Sequence, residues 1–169
     1  MTRVDVSETR RDDPVFRALV LALARRDAGV QSGSSLVDWA TEAMLAGWDA
    51  TSLSVLAGLG KPPNEFEVDA YVTRLAAELK LELPRGDSRR DAHIALLAEG
   101  IVSGALSPYD GARELAQLYY AGGWPKALLP FSLLEDAFEL ARDGIHGCVG
   151  DVEHDILKEA KLILESSAW

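Results

Sequence analysis

His146, Cys148 and His154 are the residues whose types and spacing come nearest to chemistry in this chain. Imidazole and thiolate are common zinc ligands. His146-Gly147-Cys148 lies shortly ahead of His154, and Asp151 or Asp155 could supply a fourth ligand. The spacing lacks the paired Cys-x-x-Cys of a strong zinc pattern, and loop residues with no ligand role would account for the same letters. Cys148 is the only cysteine. As a nucleophile it would need a positioned base and electropositive surroundings, but its neighbours are acidic. The only histidine close to it, His146, is two residues away, a poor arrangement for a catalytic pair. His93 stands beside Asp91 and Arg89-Arg90 near a helix start, and a solvated position is expected for it.

Carboxylates occur in pairs at Glu65 and Glu67, at Glu135 and Asp136, and from Asp151 to Asp155. Acidic side chains in a first helical turn face the positive end of the helix dipole, which explains nearly all of them without catalysis. Asp151-x-Glu153-x-Asp155 copies part of a calcium loop but lacks its glycine and its distant bidentate glutamate. Gly58-x-Gly60 follows a helix rather than a strand, so it is no nucleotide fingerprint, and a Gly-x-Ser-x-Gly elbow is missing. Thr51 to Leu79 has the outline of a helix-turn-helix. Its second helix, however, would begin Asn64-Glu65-Phe66-Glu67-Val68-Asp69, placing three carboxylates where phosphates must lie.

Three aromatic residues are candidate interaction anchors: Trp48 just past a helix stop, and Tyr120 and Trp124 around the end of another helix. Tyrosine and tryptophan dominate binding hot spots, and they also serve as lids over a core. No catalytic residue, cofactor site or cofactor is expected.

The elements that must position these residues read as helices throughout. Hydrophobic residues make up 48% and charged residues 26%, with a mean hydropathy of +0.01, as in a chain that folds rather than stays disordered. Net charge is -10 and the pI about 4.7. Nine acidic residues against three basic fall from Phe131 onward. That sign opposes nucleic-acid binding and suits either a basic protein partner or plain solubility. A single cysteine asks for no oxidising compartment. No run approaches the roughly 18–20 apolar residues of a membrane span, and the polar start has no leader-like stretch, so a cytoplasmic address is expected.

Asp13-Pro14 opens a first helix carrying Phe16, Leu19, Val20 and Leu23, stopped at Gly29. Ser35 with Asp38 is expected to cap a second, with Leu36, Trp39, Ala40, Ala43 and Met44 on one stripe and Gly47 at its end. A short third spans about Thr51 to Leu59. Gly60-Lys61-Pro62-Pro63 breaks the chain, and Asn64 caps a fourth helix through Val68, Val72, Leu75 and Leu79. Ser88 opens a fifth, with Ile94, Leu97, Ala98, Ile101 and Val102 inward, closed by Gly104. Ser107-Pro108 with Asp110 opens a sixth, lined by Ala112, Leu115, Ala116 and Tyr119 and stopped at Gly122-Gly123. A turn near Trp124-Pro125 follows, then a seventh helix capped by Ser132 with Glu135. The last starts near Asp151 and carries Ile156, Ala160, Ile163 and Leu164. The segment from Ala43 through Gly47 to Leu59 echoes that from Gly100 through Gly104 to Leu118, a weak helical-hairpin repeat. Strand-type alternation is missing.

Leu36-Val37-Asp38-Trp39-Ala40, Ser52-Leu53 with Leu56-Ala57-Gly58-Leu59, Pro63-Asn64-Glu65-Phe66-Glu67-Val68 and Pro108-Tyr109-Asp110-Gly111-Ala112-Arg113 together resemble an uncharacterised family of bacterial proteins. The resemblance runs from about Leu36 to Phe131 and implies an all-α fold. It brings no known activity, so it assigns no residue a role.

The expected fold is all-α, a bundle of seven or eight helices or a stack of helical hairpins, with residues 1–13 a tail and 14–169 one domain. The expected function is an acidic protein-interaction module, of an immunity or partner-masking type, that takes a basic protein partner and neither nucleic acid nor membrane. The alternative is a small metal protein or enzyme using His146, Cys148, His154 and Asp151. Oligomeric state is left open by the sequence.

Overall fold

Asp13 begins the first helix as its sequence requires. Its carboxylate accepts the Val15 N–H at 2.8 Å, and Pro14 occupies the position whose own N–H would be unpaired. The structure is a computed structural model and describes residues 11–121 and 125–167. Residues 1–10 of the expected tail, Gly122-Gly123 and Trp124 lie outside the described residues. Among those described there are eight α-helices, one 3-10 turn and no strand. The chain is all-α. Its contacts group into two units that divide between Ala92 and His93. The division falls inside a helix, where no linker composition could mark it.

The first unit contains α1 (Pro14–Asp27), α2 (Ser34–Leu45), α3 (Thr51–Ala57) and α4 (Glu65–Glu78). Each packs on the next in chain order. Phe16, Leu19, Val20 and Leu23 of α1 are buried, as their spacing predicts. Burying one such side chain contributes about 2 kcal/mol. Met44 departs from expectation and is 43% exposed, while Val37 joins the buried set. A helix crossed at an angle is covered on one edge at one end and on the other edge further along.

Two helix starts are capped from afar. Ser35 does not cap α2, because its hydroxyl donates to the Ser32 carbonyl at 2.8 Å. The residue before the helix is Gly33, whose N–H donates to Glu65 Oε1 at 2.9 Å. Glu78 does the same for α3. Its carboxylate accepts the Ser52 N–H at 3.1 Å and the Ser52 hydroxyl at 2.6 Å. A carboxylate there satisfies orphan donors and meets the positive end of the dipole. Glu65 and Glu78 are the first and last residues of α4. Glu65 is held in turn by Arg26 of α1, whose Nε lies 2.7 Å away and whose Nη1 lies 2.7 Å from Asp69. The hydrogen bond to Asp69 chiefly holds the Arg26 guanidinium above its ordinary pKa. Past α4 the chain turns through Lys80 at φ 53°, a left-handed conformation that only glycine adopts without strain.

The hydroxyl and N–H of Ser52 hold the Glu78 carboxyl below its ordinary value of 4.5. A carboxylate with a depressed folded pKa adds stability that is present above its unfolded pKa and lost as pH falls through the folded one. Glu78→Gln is therefore expected to lower the melting temperature at pH 7 and to leave it less changed near pH 3. A melting series over that range checks this, and a parallel offset at every pH would contradict it.

The second unit holds most of α5 (Asp87–Ser103), then α6 (Pro108–Ala121), a 3-10 turn at Lys126–Leu128, α7 (Leu129–Arg142) and α8 (Val149–Ser166). Ser107 and Asp110 form the predicted capping pair of α6. The Asp110 N–H donates to Ser107 Oγ at 3.1 Å, and the Ser107 hydroxyl donates to Asp110 Oδ2 at 2.6 Å. Ser132 does not open α7. The helix begins at Leu129 with Pro130 in its first turn, and the Ser132 hydroxyl, buried within it, donates to the Leu129 carbonyl at 2.9 Å. α6, α7 and α8 pack on one another. Phe131, Leu115 and Ile156 are fully buried. Gly111 of α6 lies hard against α5, where an added Cβ would come within 2.4 Å of Ile101 Cγ1. Among the described residues no helix is long and apolar enough to cross a membrane.

Candidate functional site

Trp48 owes its place to the way α2 ends. Gly47 takes φ 90°, its N–H donates to the Met44 carbonyl at 3.0 Å, and the Trp48 N–H reaches back to the Ala43 carbonyl at 2.9 Å. This crossed pair of bonds folds the residue after the glycine onto the helix it has just left. The Trp48 ring consequently meets Trp39 edge to face, with centroids 5.9 Å apart. Trp39 is buried, and its indole N–H donates to the Val15 carbonyl at 2.9 Å. The first turn of α1 and the end of α2 are thus tied together beneath Trp48.

A cleft of about 300 Å³ opens there, lined by Asp13, Gly47, Trp48, Asp49 and Leu79. Asp13 gives one carboxylate oxygen to the Val15 N–H, and Asp49 is exposed. Two carboxylates, an indole and a leucine make a wall that is negative and apolar at once. Such a wall attracts a cation that carries hydrocarbon, because the ring face and the carboxylates act on the charge together. No family model, curated protein or solved structure matches this chain. The chemistry of its surfaces alone bears on function.

The remaining sequence candidates are scattered. His146 and Cys148 are exposed in the loop before α8, and His154 and Asp151 are exposed on that helix. Among the described residues no three His, Cys, Asp or Glu side chains gather into a group able to hold a metal ion. The structure thus does not bring His146, Cys148, His154 and Asp151 together. Tyr119 is buried, and Tyr120 is exposed with its ring edge-on to Tyr119 at 5.3 Å. Trp124 lies outside the described residues.

His93 corrects the expectation of a solvated helix start. It is 1% exposed, and its Nε2 lies 2.7 Å from Glu114 Oε1 of α6. The helical period contained the signal: His93, Leu97 and Ile101 are four residues apart and share a buried face, while Val102, expected inward, is exposed. A second polar cluster links α6 to α7. The Tyr109 hydroxyl donates to Glu139, which also pairs with Arg142, and the Tyr109 ring stacks on Phe138 at 4.5 Å. The bond to Glu139 holds the Tyr109 hydroxyl above its ordinary pKa. Both clusters join helices, and neither lines the cleft.

Proposed function

We propose that this chain is an acidic protein-interaction module that binds and masks a basic protein partner, in the manner of an immunity protein covering a toxin. The observation that carries this reading is the cleft at Trp48, where an indole and the carboxylates of Asp13 and Asp49 line one concavity. The net charge of -10 supports it by drawing positive partners toward the surface at long range. An arginine side chain suits the cleft best. Its planar, weakly hydrated guanidinium stacks on an indole and still donates to carboxylates at its edge.

The test uses acetyl-arginine amide as the cation and acetyl-glutamine amide as its neutral counterpart. Both are titrated into the full chain at low salt while the Trp48 indole N–H resonance, assigned with Trp48→Phe, is followed. A saturable shift with the arginine compound only is expected, weakened several-fold in Asp49→Asn at low salt, since an exposed charge pair is worth up to about 1 kcal/mol. Equal responses to the two compounds, or an Asp49→Asn protein that binds as before, would remove the reading.

A further inference from the structure

α7 is apolar on two opposite sides. At 3.6 residues per turn, Phe131 and Phe138 share one side, while Leu129, Leu133 and Leu140 fall within an arc of about 40° on the other. The phenylalanines are buried. The leucines are not: Leu129 is 41% exposed, Leu133 60% and Leu140 42%, and Ile145, just past the helix, is 69% exposed. A helix with grease on both sides ordinarily has a neighbour on both sides. Here α6 and α8 pack on α7, and the leucine ridge still faces outward. Exposed apolar residues scattered singly need no explanation, whereas a ridge in helical register does.

The ridge is bordered unequally. Asp136 stands beside the ridge on one flank, with Glu139 further round the same side and Asp143 just past the helix. Pro130, Ala137 and Ala141 occupy the other flank. Arg142 pairs with Glu139 and Asp143, which leaves the flank negative. Glu135 is half-buried, and burial, followed by the charge of Asp136 beside it, pushes its carboxyl above the ordinary range. On the helix it lies nearer the phenylalanine side, and the positive charge of Arg113 also reaches it, so the carboxylate open to an arriving cation is that of the exposed Asp136.

We infer that the outward face of α7 is a docking ridge for an amphipathic helix of another protein, with leucine-type residues spaced to meet Leu129, Leu133 and Leu140 and lysines or arginines along the flank that meets Asp136 and Asp143. Charge complementarity selects this occupant. A second copy of the chain would bring the same acidic flank, and an acidic or neutral helix would leave the flank unpaired. Helix-in-groove recognition commonly reads apolar anchors at three- and four-residue spacing, and the charged flank sets direction and register. The surface lies apart from the Trp48 cleft in sequence and uses none of its residues, so neither reading depends on the other.

The test uses three labelled synthetic 18-residue helices read by fluorescence anisotropy against the full chain. One carries leucine on one face and lysine along one flank. The second replaces lysine by glutamate, and the third has the first peptide's composition in scrambled order. The Leu/Lys peptide is expected to bind at least ten-fold tighter than either of the others. Leu133→Ser with Leu140→Ser should weaken it at least ten-fold, and both changes are on the surface, so the melting temperature serves as the folding control. Asp136→Asn should weaken it several-fold at low salt and less at high salt, because exposed charge pairs are screened. Trp48→Phe should leave it unchanged. Equal binding of the scrambled peptide would reduce the effect to bulk charge and overturn the inference. So would a leucine variant that binds normally, or a concentration-dependent dimer abolished by Leu133→Ser, which would give the ridge to a second copy.

Discussion

Gly111→Leu is expected to lose about 3 kcal/mol of folding free energy, at the upper end of what an overpacked core position costs. The cause is local. A Cβ at residue 111 would stand 2.4 Å from Ile101 Cγ1, 2.6 Å from Ile101 Cδ1 and 3.1 Å from Leu106 Cδ2. Non-bonded carbons prefer about 3.5–4.0 Å. Ile101 is itself 1% exposed and has no open space to retreat into. Glycine inside a helix ordinarily costs about 1 kcal/mol relative to alanine, so Gly111→Ala combines that gain with the clash and should be milder. Urea unfolding followed by circular dichroism gives the magnitude. The cause is isolated by Ile101→Ala, which removes both offending carbons. The double variant should be more stable than the sum of the single effects predicts. Strict additivity would show that the close approach of α5 and α6 is not what requires the glycine.

The second large effect is expected at His93. Replacing it by alanine removes a fully buried ring and the donor 2.7 Å from Glu114, and should cost about 3 kcal/mol from the void and the lost hydrogen bond together. His93→Leu separates the two contributions. Leucine fills much of the space but donates nothing, so its cost of about 1–2 kcal/mol measures the buried polar pair. His93→Gln, whose amide can still donate, should fall below both in unfolding experiments. If His93→Leu were as stable as the parent protein, the pair would contribute nothing net, which is a known outcome for buried ionisable partners.

Helix content is legible in the sequence because the chain punctuates it with local chemistry. Asp13-Pro14, Asn64 and the Ser107–Asp110 pair act within three residues of themselves, and each does what its type predicts. The failures are tertiary. Ser35 has the type and place of a cap, but the real acceptor for Gly33 comes from Glu65, on another helix. A start of α7 at Ser132 rather than Leu129 hides the ridge, since Leu129 then falls outside the helix. The charged sequence neighbours of His93 point to solvent, whereas its helical neighbours Leu97 and Ile101 place it inside. The position of Trp48 against its own helix is recognisable because a glycine stop throws the next residue back on it. Its companions in the cleft, Asp13 and Leu79, arrive from the start of α1 and from the end of α4, and no local pattern connects them.

α4 ends at both extremities in a carboxylate that belongs functionally to a different helix. Glu65 closes the start of α2 and Glu78 the start of α3, with Arg26 clasping the first of them. When this one rod loosens, two others lose their fastenings at the same moment. The amide protons of Gly33 and Ser52 are consequently bound to the same opening event, and the first half of the chain has little scope to come undone one helix at a time.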